Sequence, residues 1–488
     1  MKLNKILRGI DIKQISGDPE QEILSVCFDS RSVVKDSLFV AIRGGSFDGH
    51  DFIEKAIEAG AKAVICETIP SSPLNATILQ VENSHFALGI AASNFFGNPS
   101  EKIRVVGVTG TNGKTTTATL LYRLFTNMGY KCGLLSTIRY YVAGSESEAT
   151  HTTPDPLIIQ MLLSRMVERG CEYCFMEVSS HSLDQMRVAG LNFTGAIFSN
   201  LTHDHLDYHK SFLEYLKAKK RLFDMLPEKA FALTNADDKN GDVMVQNCHA
   251  SVYRYSCHSP ADFNCKVIEK STDGMLLKID GSEVWTRFIG EHNAYNLLAV
   301  YAAARLLGAE REELLTGISS LTSVSGRLEY MSGPNSVTAV VDYAHTPDAL
   351  ENVLKTLTDI SRGREIVTVF GCGGNRDTSK RPEMAEVAAK YSHRVVVTSD
   401  NPRFEDPEKI IEDIRSGFKQ GDMAKTLFIT DRQEAIRCAI TTAKKGSMVL
   451  VAGKGHENYQ EVMGVKHHFD DKEVISEVFN QLRNNDAV

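Results

Sequence analysis

The stretch Val105-Val-Gly-Val-Thr-Gly-Thr-Asn-Gly-Lys-Thr-Thr-Thr117 constrains this chain more than any other. The apolar run Ile103 to Val108 reads as a buried strand. It breaks at Gly110-Thr-Asn-Gly113, and a helical pattern begins at Lys114 and runs through Leu120, Leu121 and Leu124. A strand, a glycine-rich turn and a helix N-terminus in succession make an anion site, because free backbone N–H groups converge on one spot. Lys114 adds a point charge for terminal phosphates, and Thr115 offers a hydroxyl to Mg²⁺. The strict nucleotide-binding pattern wants glycine where Val108 stands; here the glycines are 107, 110 and 113. An ordinary strand-to-helix turn does not need Gly-Lys-Thr-Thr, so the stretch predicts a nucleoside triphosphate site.

A chain of 488 residues exceeds one hydrophobic core and suggests two to four domains. Its 42% hydrophobic and 24% charged residues are those of a globular protein. A net charge of −8 argues against a general nucleic-acid binder, so an anionic ligand has to be held by local basic groups. The ten cysteines form neither a disulfide nor a zinc framework, which fits a reducing compartment. Cys171-Glu-Tyr-Cys174 has redox spacing but enters an apolar run, so both read as core thiols. Residues 1–14 lack the apolar block of a signal peptide, and no run reaches membrane-spanning length; cytoplasmic placement without membrane insertion is expected.

Pattern changes divide the chain into three α/β segments, 1–100, 101–328 and 329–488. The first alternates short strands with helices and closes at the turn cluster Gly97-Asn-Pro99. Its loops Asp29-Ser-Arg31 and Arg43-Gly-Gly45 lie at strand ends, where they are either ligand loops or plain surface turns. In the second, the run Cys174-Phe-Met-Glu-Val178 puts a carboxylate at the end of a buried strand beside the phosphate loop, a placement that suits Mg²⁺. Thr202-His-Asp-His-Leu-Asp-Tyr-His209 has three histidines but no thiolate partners; one histidine beside Mg²⁺ or phosphate is the better reading than a transition-metal cage. Lys217, Lys219 and Lys220 read, on pattern alone, as a solvated basic face. Asp237 and Asp238 end another strand with hydroxyl-binding carboxylates. Asn293 and Asn296 share one helix face, where they meet a purine edge or serve packing and capping.

The third segment is the most regular, with strands at Val337–Val341, Glu365–Phe370, Arg394–Thr398, Thr426–Ile429 and Ser447–Val451 and helices between them. This predicts a doubly wound, Rossmann-like parallel sheet. Polar clusters follow almost every strand: Asp342-Tyr-Ala-His345, Gly371 to Asp377, Asp400-Asn-Pro-Arg403, Asp431-Arg432 and Gly453-Lys-Gly-His-Glu457. Parallel strands point the same way, so these loops should gather on one binding rim.

Taken in order, Thr109-Gly-Thr-Asn-Gly-Lys-Thr-Thr116, Glu177-Val-Ser-Ser-His181, His292-Asn-Ala-Tyr-Asn296 and Gly326-Arg327 resemble the ATP-dependent Mur ligases of peptidoglycan synthesis. Thr152-Thr-Pro154, Asp204-His-Leu-Asp-Tyr-His209, Tyr343-Ala-His-Thr-Pro347 and Gly453-Lys-Gly-His-Glu457 narrow the likeness to members that add the third residue of the stem peptide. The resemblance spans nearly the whole chain and includes the shorter phosphate-loop spacing. It implies three α/β domains: an N-terminal UDP-sugar-binding domain (1–100), a central P-loop-type ATPase domain (101–328) and a C-terminal amino-acid-binding domain (329–488).

The resemblance also implies roles. Gly110, Thr111, Asn112, Gly113, Lys114, Thr115 and Thr116 would hold ATP, completed by Asn293, Asn296, Arg327 and Asp342. Thr115, Glu177 and His205 would hold Mg²⁺, with Lys114 and His205 serving catalysis. Lys219 matches a lysine that such enzymes carry as a carbamate, formed with CO₂, to ligate or orient the metal; Lys217 and Lys220 would be its solvated neighbours. Ser30, Thr152, Thr153, Ser179, Gln185 and Arg187 would hold UDP-N-acetylmuramoyl-L-Ala-D-Glu. Asp400, Asn401, Pro402 and Arg403 resemble the recognition motif for meso-diaminopimelate, with Arg376 for a second acid group and Gly453 and Glu457 for an ammonium. Arg403 could instead cap the helix starting near Pro407 or pair with Glu405. A lysine-adding relative, a folylpolyglutamate-type ligase and a P-loop switch or motor are the alternatives, and a monomer is expected.

Overall fold

The computed structural model describes residues 1–485 except Ser46, Ser72, Pro73, His205 and Thr272. Three β-sheets are each buried on both faces at their centres, because successive strand residues there point to opposite sides and both sets are apolar. In the first sheet Leu38, Ile65 and Leu79 feed one core while Phe39, Val64 and Ile78 feed the other. Its strands run in the spatial order Ile12–Ser16, Thr77–Val81, Ala61–Cys66, Ser37–Val40 and Ser25–Cys27, with only the first antiparallel to its neighbour.

The second sheet has eleven strands, and its parallel centre decides where the site lies. Arg104–Thr109 is flanked by Tyr173–Glu177 on one side and Phe193–Phe198 on the other, all parallel. Three strand ends therefore open side by side, where parallel sheets present ligand sites. Strands unforeseen in the sequence extend both edges. Arg139–Val142 and Ser145–Glu148 form an antiparallel hairpin at one edge, and Phe263–Lys270, Met275–Ile279 and Ser282–Thr286 a meander at the other. The turn Asp280-Gly281 has positive φ at both residues (43° and 88°), the geometry of a two-residue hairpin.

The third sheet runs Glu329–Ser332, Thr338–Asp342, Met448–Ala452, Ile366–Phe370, Arg394–Val397, Thr426–Phe428. All pairings are parallel except that of the edge strand Glu329–Ser332. Helices Pro347–Ser361, Lys380–Tyr391 and Pro407–Arg415 cover one face, and Arg432–Thr441 and Asp471–Asn485 the other. The doubly wound arrangement is thus present, with one antiparallel strand added. A separate hairpin, Tyr459–Val462 with Val465–His468, follows the last parallel strand.

Candidate active site

A cavity of about 240 Å³ lies between the second and third sheets, and the phosphate loop forms one wall of it. The loop is shaped by close approach: a Cβ on Gly113, whose φ is +87°, would sit 2.5 Å from the Asn296 Oδ1. The helix that follows, Lys114–Asn127, points its free N–H groups at the cavity end. Lys114 Nζ donates to the carbonyls of Gly110 (2.9 Å) and Thr111 (2.8 Å). Lys219, on helix Phe212–Asp224, is buried and donates to the same Gly110 carbonyl at 2.7 Å, with its Nζ 4.6 Å from the Tyr215 ring centre. Burial, and secondarily the nearby Lys114, pushes the Lys219 amine well below the ordinary lysine range. Burial also lowers Lys114, with Glu177 and Asp204 opposing.

The solvated-face reading of the three lysines thus holds for Lys217, which is exposed and paired with Glu214, and fails for Lys219. Lys220 is a second correction: only 17% of its side chain is exposed, because its stem packs down and its ammonium pairs with Asp224 one turn on.

Glu177 is fully buried at the end of its strand. It accepts from Thr115 Oγ1 (3.0 Å), Thr137 N (2.7 Å) and Thr137 Oγ1 (3.2 Å). Among the described residues no basic side chain reaches ion-pair distance of it. A buried carboxylate beside hydroxyls and without a cation suits a hard divalent ion. Among the described residues no three His, Cys, Asp or Glu side chains cluster as a metal cage. His205 lies outside the described residues. The other two histidines of its motif diverge: His203 faces Asp377 at 4.0 Å, and His209 is buried with its ring centre 5.3 Å from that of Tyr215. Thr137 was not singled out in the sequence, although it follows the buried strand Cys132–Leu135 as a polar strand-end residue, the signal that located Glu177.

Thr152, Thr153, Ser179, Gln185 and Arg187 form one connected patch beside Glu177. Thr152 accepts from Thr137, Thr153 Oγ1 donates to the Glu177 carbonyl at 2.9 Å, and Ser179 N donates to Thr153. Arg187 donates to the Thr153 carbonyl (2.8 Å) and to Gln185 (2.6 and 2.9 Å). Ser30 stands apart, in the short turn Ser30–Ser32 of the first sheet's region, and lines neither this cavity nor the next.

A second cavity, of about 600 Å³, adjoins the loop on the side of helix Glu291–Leu306 and holds Asn293, Asn296, Arg327 and Asp342. Asn296 donates to Asn293 at 3.1 Å, and Asn293 to the Ile289 carbonyl. Asp342 accepts the backbone N–H groups of Leu328 and Ala344 at 2.7 and 2.8 Å, pinning the crossing between sheets; burial raises its pKa. Arg327 reaches Thr115 Oγ1 at 3.3 Å and lies over the Tyr343 ring at 4.7 Å. Asp348, which the sequence reading passed over, accepts from the side chain of Asn112 at 2.8 Å and so ties the third sheet's first helix to the loop. Asp237 is saturated by its own surroundings, accepting from Ser256, Tyr295 and two backbone N–H groups.

The opposite wall of the first cavity carries Arg376, Asp400, Asn401, Arg403, Gly453 and Glu457. Gly374 lets two loops meet, since a Cβ there would lie 2.0 Å from the Pro402 carbonyl oxygen. Asn401 donates to Glu457 at 2.8 Å, and fully buried Lys454, also missed, sits 3.1 Å from Asn401 Oδ1 and 3.2 Å from Glu457. Burial, then the nearby Asp400, raises Glu457. Arg403 donates to the Gly374 carbonyl at 2.7 Å and faces Glu461 at 3.5 Å. It neither caps the helix at Pro407, which Asp406 caps, nor pairs with Glu405, which Arg381 takes at 2.9 Å. Asp431-Arg432 departs from the expected rim. Asp431 caps its helix, and Arg432 is wholly buried against Asp471 at 2.8 Å.

One cavity thus joins a glycine-built anion cradle, a buried carboxylate that no described basic side chain pairs with, and a wall of mixed charge from another sheet, with Arg376 and Arg403 beside Asp400 and Glu457. Family models match along the chain: the Mur ligase family catalytic domain over residues 22–96, the Mur ligase middle domain over 108–304, and the Mur ligase glutamate ligase domain over 326–455. The UDP-N-acetylmuramoyl-L-alanyl-D-glutamate–2,6-diaminopimelate ligase of Bacteroides thetaiotaomicron is 54% identical over 482 residues, 98% of this chain and 100% of that one. A solved structure of a ligase with the same name superposes with a TM-score of 0.70 at 32% identity, covering 99% of both chains. The folylpolyglutamate synthase of Mycobacterium tuberculosis shares the fold only, with a TM-score of 0.62 at 18% identity over 76% of this chain and 92% of its own. With its phosphate loop, its two-walled cavity and these full-length relatives, the chain belongs to the Mur ligase family.

Proposed function

We propose that this protein is the ATP-dependent ligase that joins meso-diaminopimelate to UDP-N-acetylmuramoyl-L-Ala-D-Glu in peptidoglycan precursor synthesis. The observation that carries the reading is the single cavity in which Lys114, Thr115 and Glu177 face Asp400, Asn401 and Arg403. Amide formation needs that arrangement, because a carboxylate must be activated by phosphoryl transfer and then met by an amine. Relatives named for this reaction, matching end to end, support it.

The proposed division of labour is as follows. Residues 1–100 bind the UDP-sugar, 101–328 bind ATP and 329–488 bind the amino acid. Residues Gly110 to Thr116 take the phosphates through N–H groups and the Lys114 charge, and Asn293, Asn296, Arg327 and Asp342 take the nucleoside. Thr115, Glu177 and His205 would hold Mg²⁺, which supplies charge neutralisation at the transferring phosphoryl group. A carboxylate of the dipeptide's D-Glu, oriented by Thr152, Thr153, Ser179, Gln185 and Arg187 with Ser30 on the sugar side, attacks the γ-phosphorus and releases ADP. The acyl phosphate then meets the amine, and phosphate leaves. Lys219 would carry CO₂ as a carbamate: burial favours the uncharged amine, the form that combines with CO₂.

Arg403, Asn401 and Arg376 select diaminopimelate, which is lysine with a carboxylate added beside the far amine; a guanidinium fork matches that carboxylate. Among the described residues no helix is long and apolar enough to cross a membrane. We place the enzyme in the cytoplasm as a monomer without a nucleic-acid partner. The test is phosphate release and product mass with ATP, UDP-muramoyl dipeptide and either diaminopimelate or lysine. Release is expected only with both co-substrates and with diaminopimelate preferred. ATP hydrolysis without either, or efficient lysine addition, would overturn the reading.

A further inference from the structure

The hairpin Tyr459–Val462 with Val465–His468 belongs to none of the three main sheets, and its first strand and turn touch the Asp400–Arg403 loop through Gln460, Glu461 and Met463. Arg403 has φ +52°, a left-handed conformation that a long side chain rarely adopts without support. The support comes from the hairpin backbone. Arg403 N donates to the Glu461 carbonyl at 3.0 Å, and Met463 N donates to the Arg403 carbonyl at 2.6 Å, forming a local bridge with Val462 between them. Glu461 N donates to Asn401 Oδ1 at 2.9 Å, so the same residue also fixes the amide neighbour.

The Glu461 side chain adds a charge contact, its carboxylate lying 3.5 Å from Arg403 Nε. Arg403 Nη1 gives one hydrogen to the Gly374 carbonyl. A guanidinium has five N–H donors. The Nε edge is therefore held by Glu461 and one terminal donor by Gly374, which leaves the other terminal donors for the cavity. Arg403 lines that cavity and Glu461 does not. A carboxylate placed inside the cavity would compete with an acidic ligand for Arg403; one placed behind the guanidinium orients it instead.

We propose that Glu461, presented by this hairpin, is a positioning residue that sets Arg403 to recognise the distal carboxylate of the amino-acid substrate. The inference rests on the proposed function and adds a residue outside the cavity to its specificity. Replacing Glu461 removes the anchor on Nε but leaves every phosphate-loop contact intact.

The experiment compares wild type with Glu461→Gln and Glu461→Asp, measuring kcat and KM separately for diaminopimelate, lysine and ATP, alongside the thermal midpoint of each variant. Glu461→Gln is expected to raise KM for diaminopimelate about tenfold, the usual scale for losing an orienting partner. Its kcat and ATP KM should stay near wild type, the preference over lysine should fall in step, and Glu461→Asp should recover part of the loss. An unchanged diaminopimelate KM and preference would overturn the inference while leaving the proposed function standing. Parallel losses in ATP KM and thermal midpoint would assign Glu461 a purely structural role and overturn it as well. A wild-type enzyme that makes no product with diaminopimelate would bring down the proposed function, and this inference with it.

Discussion

The two walls of the active cavity treat charge in opposite ways. On the central wall Glu177 is buried with hydroxyl and amide donors but, among the described residues, no paired cation, and Lys114 and Lys219 both rest on one backbone carbonyl. Behind the C-terminal wall buried charges are matched within the protein: Arg381 with Glu405 and Asp413, Arg432 with Asp471, Lys454 with Glu457. Desolvated charge without a counter-ion is costly unless something completes it. The central wall therefore reads as a surface finished by ligand charge, and the other as a rigid frame whose ion pairs hold loops in place.

Breaking that contrast on the central wall should have the largest effect. Lys219→Ala is expected to lower turnover by on the order of 10²–10³-fold or more, as when one preorganised electrostatic group is lost. The thermal midpoint should hardly fall and bicarbonate should not restore activity. Steady-state assays decide it; near-normal turnover would return Lys219 to a structural role. On the frame the expectation inverts. Arg432→Met, which strands buried Asp471, should cost about 3–5 kcal/mol of stability in denaturant titration. Pairing it with Asp471→Leu should recover most of that, since the pair serves shape.

Arg403→Ala sits between these cases, because Arg403 belongs to the frame but faces the ligand. Its loss should cost about 2–5 kcal/mol of selectivity for diaminopimelate over lysine, read from the ratio of kcat/KM values. The smallest effect is a pH response. Half-buried His456 has its pKa pushed down to about 3 by desolvation and by the nearby Arg327 and Lys472, and its Nδ1 finds no hydrogen-bond partner among the described residues. A histidine ordinarily titrates near 6.5 when unfolded. The unfolded chain thus binds the proton first, so stability is full above about pH 6.5 and falls as pH drops toward 3, by on the order of 1–3 kcal/mol. His456→Gln should flatten that acid limb in thermal melts between pH 7 and 4; an unchanged slope would clear His456 of the effect.

How much of this the sequence revealed follows the same divide. The phosphate loop and Glu177 were legible because glycine spacing and a carboxylate closing an apolar run are local signals. The parallel third sheet was legible for the same reason. Lys219 was legible only through the family resemblance: one lysine of three on a helix carries no mark of burial in its own pattern, and the packing of Tyr215 and the Gly110 carbonyl removes it from water. Asp348 escaped because its partner Asn112 lies far along the chain, and Lys454 because nothing local marks its burial against Asn401, although Glu457 is only three residues on. The edge hairpins were missed although Asp280-Gly281 is a readable turn signal, since short amphipathic strands beside charged residues resemble loops. Arg432 misled, because following a strand end says nothing about which way a side chain turns.

The bonds that join the two walls have a consequence for how the enzyme fails. Asn112 to Asp348 and Arg327 to Thr115 span 236 and 212 residues of chain, whereas each sheet keeps its own pair of apolar cores. Separating the sheets by mild urea needs only a few polar contacts and the small apolar seam at Ile289 to open, while melting either one exposes its interior. Catalysis should therefore vanish at a lower urea concentration than ellipticity does, leaving an inactive chain whose sheets are still folded and which regains activity on dilution.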